Sequence, residues 1–247
     1  MNKIDRRRKY ILVLDIETAN QTQDALAYDI GLAVADKHGN IYETRSFVIA
    51  EMFFGYKDLM QSAYYADKLP QYYNDIRERK RQVLGIIPAR SVILSLMRKY
   101  RINDIYAYNA RFDYDGLNRT LRYVSKSKYR WFFPYETEIH DIWNMACQTI
   151  FRQRCFIRFA LDHECYNPNT KNVFTSAETA YSYITGNPGY EEEHTGLEDV
   201  LIETAILAKC YRQHKKMETC IKRNCWMLPQ KEFKKALYIR FQMLYNK

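Results

Sequence analysis

The chain has 247 residues, of which 47% are hydrophobic and 27% charged, and it carries a formal net charge of +9. This composition is typical of a globular protein with one sizeable core, and it excludes a disordered tail or a miniprotein held together by disulfides. The basic excess favours a polyanionic partner such as nucleic acid but does not establish one.

The sequence shows no membrane or export signal. No stretch approaches the roughly 18 unbroken apolar residues of a membrane helix. The basic start of the chain leads into a strand-like run rather than the apolar core of a signal peptide, so we expect a cytoplasmic protein.

The six cysteines include no C-x-x-C pair and are expected to be small buried hydrophobic side chains. The alternative is a zinc site, which the irregular spacing of its residues disfavours. That site would use Cys210, His214, Cys220 and Cys225.

Three strands come first in chain order. A β-rich apolar run starts at Tyr10 and becomes polar at Asp15, as a central strand does where it meets a site. Residues 28–35 and 41–50 are joined by a Lys-His-Gly-Asn segment of hairpin type. The pattern predicts three antiparallel strands.

A mostly helical region follows at residues 53–100. Pro88 is well placed to open its last helix. Tyr65 and Tyr73 recur at helical spacing with two aliphatic residues, Leu69 and Ile76, which indicates core or interface packing.

Strands and helices then alternate. Residues 104–108 and 139–142 are predicted strands, each followed by a helix, and residues 152–174 are predicted to be irregular. Thr175 or Ser176 can cap a helix that ends near Gly186. The last long helix has an apolar stripe of Leu197, Leu201, Ala205, Ala208 and Tyr211. Three antiparallel strands followed by alternating strands and helices predict an α/β fold with a mixed sheet.

Two carboxylates lie near the end of the first strand. Asp15 and Glu17 are two residues apart, so their side chains project from the same face. Like charges side by side on an apolar strand are costly unless a cation lies between them. The pair is also consistent with a strand end that faces solvent, and its position on the strongest strand is what favours a site.

Two further segments carry polar residues at the start of helices. Asn109 and Asp113 follow the strand at residues 104–108 and can face the crevice beyond the strand end, although Asp113 is also consistent with a helix cap. His194 lies in a loop and Asp199 in the first turn of the next helix, close enough to address one site. A solvated loop histidine is the alternative.

In this order, Asp15 with Glu17, Asn109 with Phe112 and Asp113, and His194 with Asp199 resemble the motifs of the DEDDh, or DnaQ-like, 3′-to-5′ exonucleases of the ribonuclease H-like superfamily. The resemblance covers about residues 8–214. It implies a ribonuclease H-like fold, with a central mixed sheet of three antiparallel and then two parallel strands, flanked by helices. It also implies that four acidic ligands, Asp15, Glu17, Asp113 and Asp199, surround two divalent ions.

The charge of the four acidic residues and the oxygen atoms that they offer agree with the binding of two divalent ions. Four clustered carboxylates carry about four negative charges, which two Mg²⁺ or Mn²⁺ ions would neutralise, and oxygen ligands suit these hard cations rather than zinc. His194 would be the general base, because the ordinary pKa of histidine lies near neutral.

The resemblance carries weaker implications for the substrate. Thr18 would lie against the terminal nucleotide, and Asn109 would help to hold the site or the substrate backbone. Tyr108 stands where many relatives have histidine, and Gly196 and Val200 lie where alanine is frequent, which puts substrate preference in doubt more than catalysis.

The expected function is a metal-dependent exonuclease that removes nucleoside 5′-monophosphates from 3′ ends of single-stranded or frayed nucleic acid, with DNA favoured over RNA. An exoribonuclease or oligoribonuclease, a non-catalytic nucleic-acid-binding module and an enzyme for small nucleotides stay open as alternatives. Basic clusters at residues 6–9, 77–81 and 126–130 could follow a phosphate backbone or be solvated faces.

Two regions are predicted along the chain. Residues 1–214 would form the exonuclease domain, and residues 215–247 a basic helical extension that is packed on it or tethered to it. The extension could bind nucleic acid, pack on the domain or tether a polymerase or another replication or repair partner.

Overall fold

The computed structural model describes residues 4–20, 22–63, 65–125 and 131–245. Its strands are β1 (Ile11–Ala19), β2 (Leu26–Ala35), β3 (Ile41–Ile49), β4 (Gln82–Leu84), β5 (Asp104–Ala107) and β6 (Glu138–Asp141). Its helices are α1 (Ala50–Phe53), α2 (Lys57–Met60), α3 (Leu69–Arg77), α4 (Ile86–Tyr100), α5 (Ala110–Val124), α6 (Ile142–Gln148), α7 (Arg154–Asp162), α8 (Ala177–Thr185), α9 (Gly196–Tyr211) and α10 (Gln230–Tyr245). The predicted basic cluster at residues 126–130 lies outside the described residues.

These strands form one mixed sheet in the order β4-β3-β2-β1-β5-β6. β1, β2 and β3 are antiparallel neighbours, whereas β5 and β6 are added in parallel beside β1. The predicted fold class, a mixed sheet of three antiparallel and then two parallel strands flanked by helices, is confirmed. The short edge strand β4, which pairs in parallel with β3, was not among the predicted strands.

The alternation of side chains along β1 divides the core into two layers. Leu12, Leu14 and Ile16 belong to a cluster with residues of α4 and α5, while Ile11 and Val13 belong to a cluster with residues of α6 and α9. α9 packs across β1 and β2 on this second face. Asp15 and Glu17 continue the odd-numbered series of β1, so they project toward α9.

Two local predictions in the helical regions are wrong in part, although Leu69 and Ile76 pack against the core as expected. The stretch 152–174 contains the amphipathic helix α7, which buries Phe156 and Ile157. In α3 the buried tyrosine is Tyr72, whereas Tyr73 is 52% exposed. The helix begins only at Leu69, so the spacing counted from Tyr65 did not describe one continuous helix.

The stripe predicted on α9 is wrong in part. Leu201 is 42% exposed, whereas Ala208 is buried as expected. The helix contacts the sheet as well as α6 and α8, so its buried surface is much wider than one stripe. The positions that it buries include polar ones, Glu203 and Thr204.

The cysteines follow the prediction in part. Cys147, Cys210 and Cys225 are buried, but Cys155 and Cys220 are exposed. In the described part of the chain, no three residues of the alternative zinc set lie close enough together to share a metal ion.

The C-terminal segment contributes to the second core layer. Phe233 and Leu237 of α10 are buried there, and α10 contacts α7. The division of the chain at residue 214 stays a prediction. Among the described residues, no helix is both long and apolar enough to span a bilayer.

Candidate metal centre and active site

The centre of the site is a cluster of three carboxylates on β1 and α9. Asp15, Glu17 and Asp199 each offer an oxygen, and these oxygens all lie within 4.8 Å of one another. Glu17 is buried, and Asp15 and Asp199 are half-buried. The structure therefore brings together three of the four predicted acidic ligands, from segments that lie far apart in the sequence.

A close contact between two glycines explains how α9 approaches β1 so nearly. Gly31 lies opposite Asp15 in the β1–β2 pairing. A Cβ atom on Gly31 would be 2.0 Å from the carbonyl carbon of Gly196, and one on Gly196 would be 2.7 Å from the Gly31 nitrogen. Only glycine fits at both positions, and the contact sets the first turn of α9, with Asp199, beside the carboxylates of β1.

Asp113 joins the site from α5. It is 2% exposed, and its Oδ1 accepts a hydrogen bond of 3.2 Å from the Ile16 backbone N–H, between the two carboxylates of β1. Its negative charge is among the influences that raise the pKa of Asp15. Asp113 is thus anchored next to the three-carboxylate cluster by the backbone of β1.

The turn before α5 is held by a residue that the sequence analysis did not single out. Asn109 has a left-handed backbone with φ of 61°, which asparagine tolerates well. Its N–H donates a hydrogen bond of 3.1 Å to Oδ1 of the buried Asp141, and Trp143 N–H donates one of 3.0 Å to the same atom. Burial raises the pKa of Asp141 to about 6. Asp141 therefore couples the ends of β5 and β6.

Burial and mutual repulsion make the carboxylates of the site costly to ionise. Burial first, and then the charges of Asp15 and Asp199, raise the pKa of Glu17 to about 11. Burial and the charge of Asp15 raise the pKa of Asp199 to about 8. The pKa values of Asp15 and Asp113 are raised as well, mainly by burial. A bound cation would remove this cost.

The hydrogen bonding of the carboxylates fits divalent ions. Oδ2 of Asp15 and Oδ1 of Asp199 are buried and have no hydrogen-bond partner among the described residues. Buried carboxylate oxygens normally find a donor or a metal ion. The atoms that this set offers to a metal ion are all carboxylate oxygens, which suits Mg²⁺ or Mn²⁺.

Sequence reasoning missed a buried ion-pair network beside the site. Asp29, on β2 opposite Glu17, is fully buried and accepts hydrogen bonds from Tyr72 Oη at 2.7 Å, Arg81 Nη1 at 3.1 Å and Gly196 N–H at 3.1 Å. Arg81 also pairs with Asp75 and Glu198 and is 5% exposed. The prediction that residues 77–81 form a phosphate track or a solvated face is therefore wrong for Arg81, which instead ties the start of α9 to β2.

A pocket of about 450 Å³ opens beside the cluster. Asp15, Asp199 and Asn109 line it together with aromatic and hydroxyl side chains and two acidic residues that were not predicted. The other lining residues are Tyr65, Tyr108, Trp143, Thr175, Ser176, Ala177, Glu192 and Glu203. Glu203 lies four residues after Asp199, so the helical period would have placed the two on one face.

His194 lies at the border of this pocket rather than among its lining residues. Its ring stacks on Tyr65 with 4.0 Å between ring centroids and 9° between planes, and its backbone is left-handed with φ of 53°. Its Nδ1 is 3.8 Å from Oε2 of Glu192. Burial lowers the pKa of His194, which keeps the imidazole neutral at pH 7.

Thr18 lies outside the lining of the pocket. It is half-buried and follows a shift in the β1–β2 register after Glu17. Its contact with a terminal nucleotide stays a prediction.

No protein-family model and no curated protein matches this sequence. Among solved structures, the chain is similar to a zinc-bound complex of E. coli exonuclease I with single-stranded DNA, at 17% identity over 84% of this chain and 41% of that chain, with a TM-score of 0.49. It is also similar to E. coli exonuclease I with a dA16 oligonucleotide, at 17% identity over 80% of this chain and 40% of that one, with a TM-score of 0.46.

A third similar structure is a complex of exonuclease I with a peptide named SSB-Ct, at 16% identity over 84% of this chain and 42% of that chain, with a TM-score of 0.47. The chain thus spans less than half the length of these exonuclease I chains. At this identity and TM-score, the case for a function rests on the side chains of the site, and membership in the DEDDh family stays a prediction.

Proposed function

We propose that the protein is a metal-dependent 3′-to-5′ exonuclease that acts on single-stranded or frayed DNA ends and releases nucleoside 5′-monophosphates. The observation that carries this proposal is that carboxylate oxygens of Asp15, Glu17 and Asp199 lie within 4.8 Å of one another. One buried oxygen each of Asp15 and Asp199 has no hydrogen-bond partner among the described residues. A set of acidic oxygens at the rim of an open pocket is suited to divalent ions and to phosphodiester hydrolysis.

Asp15, Glu17, Asp113 and Asp199 would hold two divalent ions, Mg²⁺ or Mn²⁺. When bound, the ions supply positive charge that activates a water and stabilises the departing 3′-oxygen in an in-line displacement at phosphorus. Asp113, which the Ile16 N–H fixes at 3.2 Å, would present its other carboxylate oxygen to this centre.

His194 would accept the proton of the attacking water at Nε2, while its Nδ1 faces Glu192 at 3.8 Å. The stack on Tyr65 would hold the ring in position for this role. The lowered pKa of His194 suits a base, because the neutral form predominates at pH 7.

The pocket would receive the terminal nucleotide. Tyr65, Tyr108 and Trp143 line it and could stack on a base, which gives affinity with little sequence preference. Asn109 would contact the substrate backbone from the same lining, and Thr18 the terminal nucleotide. A replication or repair partner and a cytoplasmic location belong to the same proposal.

The test is digestion of 5′-labelled single-stranded DNA and matched RNA with Mn²⁺, Mg²⁺ or EDTA. We expect a metal-dependent ladder that shortens from the 3′ end, faster on DNA. Asp113→Asn retains an acceptor for the Ile16 N–H and should still abolish cleavage, as should His194→Ala, whereas His163→Ala, at an exposed histidine, should not.

Each other outcome selects an alternative. Faster cleavage of RNA would identify an exoribonuclease. Tight binding of either polymer without cleavage under any metal would indicate a non-catalytic module, and wild-type rates in Asp113→Asn or His194→Ala would contradict the proposed site.

A further inference from the structure

Glu203 is a buried acid for which the proposed mechanism has no role. It lies on α9 one turn after Asp199 and is 3% exposed. It lines the same pocket as Asp15 and Asp199. Its Oε2 is buried and has no hydrogen-bond partner among the described residues.

The backbone N–H of Tyr108, the residue after β5, interacts with the carboxylate of Glu203 and lowers its pKa. A neutral acceptor such as glutamine could receive the same N–H, so this contact does not explain why an acid stands at this position.

The surroundings of Glu203 make that charge costly. Burial first, and then the charges of Asp15, Asp113 and Asp199, raise its pKa well above the ordinary value. The buried cation of this region, Arg81, is engaged by Asp29, Asp75 and Glu198 instead. A buried carboxylate among other carboxylates needs a cation that the described side chains do not supply.

We propose that Glu203 is a fifth acidic group of the metal centre and that its negative charge strengthens the binding of a divalent cation, of the hard, oxygen-preferring class, at Asp15 and Asp199. The proposal rests on the metal centre of the proposed function and extends it. The residue lines the pocket that Asp15 and Asp199 also line, and its Oε2 has no hydrogen-bond partner among the described residues.

Glu203 changes the net charge of the metal centre. Two divalent ions would neutralise the four carboxylates of the proposed ligand set, and Glu203 adds a fifth negative charge. The centre then keeps a net negative charge when both ions are bound, which should strengthen cation binding.

The test is calorimetric titration of the metal-free protein with MnCl₂ at pH 7.5, for wild type, Glu203→Gln and the control Glu136→Gln. Glu136 is exposed, so its variant removes the same charge from the surface. We expect Glu203→Gln to weaken Mn²⁺ binding by about 10-fold or more and Glu136→Gln to leave it unchanged. The melting temperature of Glu203→Gln in EDTA should be at least that of wild type, because the variant keeps an acceptor and loses a repelled charge.

Asp15→Asn separates the two possible failures. If Asp15→Asn loses Mn²⁺ binding while Glu203→Gln binds as wild type does, Glu203 lies outside the metal centre and the proposed function stands. If wild type itself binds no Mn²⁺, the metal centre fails and this inference with it. A Glu203→Gln protein that melts below wild type in EDTA would show that the charge is structural, which also overturns the proposal.

Discussion

Two acidic clusters on the same sheet have opposite electrostatics. At the edge formed by β5 and β6, Asp104 accepts a hydrogen bond of 2.9 Å from His140 and pairs with Lys9 at 3.0 Å. Although burial alone would raise it, these contacts lower the pKa of Asp104. In the cluster of Asp15, Glu17 and Asp199, the pKa values are raised, and one buried oxygen each of Asp15 and Asp199 has no hydrogen-bond partner in the described part of the chain.

The comparison separates an acid that stabilises the fold from acids whose charge the described side chains leave uncompensated. Asp104 lies among donors and cations of the chain itself, so its charge is compensated. The β1–α9 cluster lacks such compensation in the described residues, and its charges lower stability unless cations bind. The difference in partners, rather than the number of acidic residues, is what favours the β1–α9 cluster as the proposed metal centre.

The largest expected contrast comes from the same substitution in both clusters. Asp199→Asn should lower the exonuclease rate by about a thousandfold or more, because ligands of a catalytic metal ion support several kcal/mol of transition-state stabilisation. Asp104→Asn removes the partner of His140 and Lys9 and should change the rate by about twofold at most while lowering stability by about 1 kcal/mol. The measurements are initial rates on labelled DNA and urea unfolding.

An equal loss of activity in both variants would show that the two clusters do not differ in function. Far-UV circular dichroism of Asp199→Asn in EDTA provides the control for folding.

The next largest effect is expected on the free energy of unfolding, at the buried ion pair of Arg81 with Asp29. Arg81→Met would leave Asp29 fully buried and without its ion pair, and breaking such a pair costs about 3–5 kcal/mol. The matched control is Arg8→Met, because the Arg8 side chain in its ion pair with Asp36 is 39% exposed, and this change should cost about 1 kcal/mol or less. Urea unfolding measures both, and equal costs would contradict the structural role of Arg81.

A smaller effect concerns pH. The raised pKa values of Glu17, Glu192 and Asp199, of about 11, 8 and 8, mean that the folded, metal-free protein holds protons that the unfolded chain has released by pH 6. Stability in EDTA should therefore fall as pH rises from 6 to 8, and each of the three groups alone would contribute about 2 kcal/mol, or about 4–8 °C in melting temperature.

Saturating Mn²⁺ should remove this decline, because the metal binds the deprotonated carboxylates. The lowered pKa of His194 acts in the opposite sense, so the slope should be compared with that of Asp199→Asn, which we expect to be shallower. A metal-free wild type that becomes more stable between pH 6 and 8 would contradict the unpaired state of the cluster.

The sequence predicted most of the sheet and the side-by-side carboxylates of β1. Period-two alternation placed Asp15 and Glu17 on one face, and the structure has them facing α9. Asp113 and Asp199 were found because each follows a strand or loop at the start of a helix. These signals are local, so one segment at a time reveals them.

What the sequence did not reveal depends on contacts between distant segments. Asp29 and Arg81 are 52 residues apart and meet only after β2 and the segment beyond α3 have folded together. Gly31 and Gly196 look ordinary until a helix crosses a strand. Glu203 could have been predicted to lie beside Asp199, since residues four apart share one face of a helix. The prediction for this helix considered only its apolar positions.

The smallest expected effect concerns the ring stack beside the metal centre. Tyr65→Ala removes the ring on which His194 lies at 4.0 Å and should lower the rate at pH 8 by about 2-fold to 10-fold, since an aromatic pair contributes about 0.5–1.5 kcal/mol. It should also expose the imidazole, so that its lowered pKa returns toward the ordinary value and the acid limb of the pH–rate profile moves to higher pH. Tyr65→Phe retains the ring and should change neither. A faster Tyr65→Ala enzyme would mean that the stack holds His194 away from the reacting water instead of positioning it.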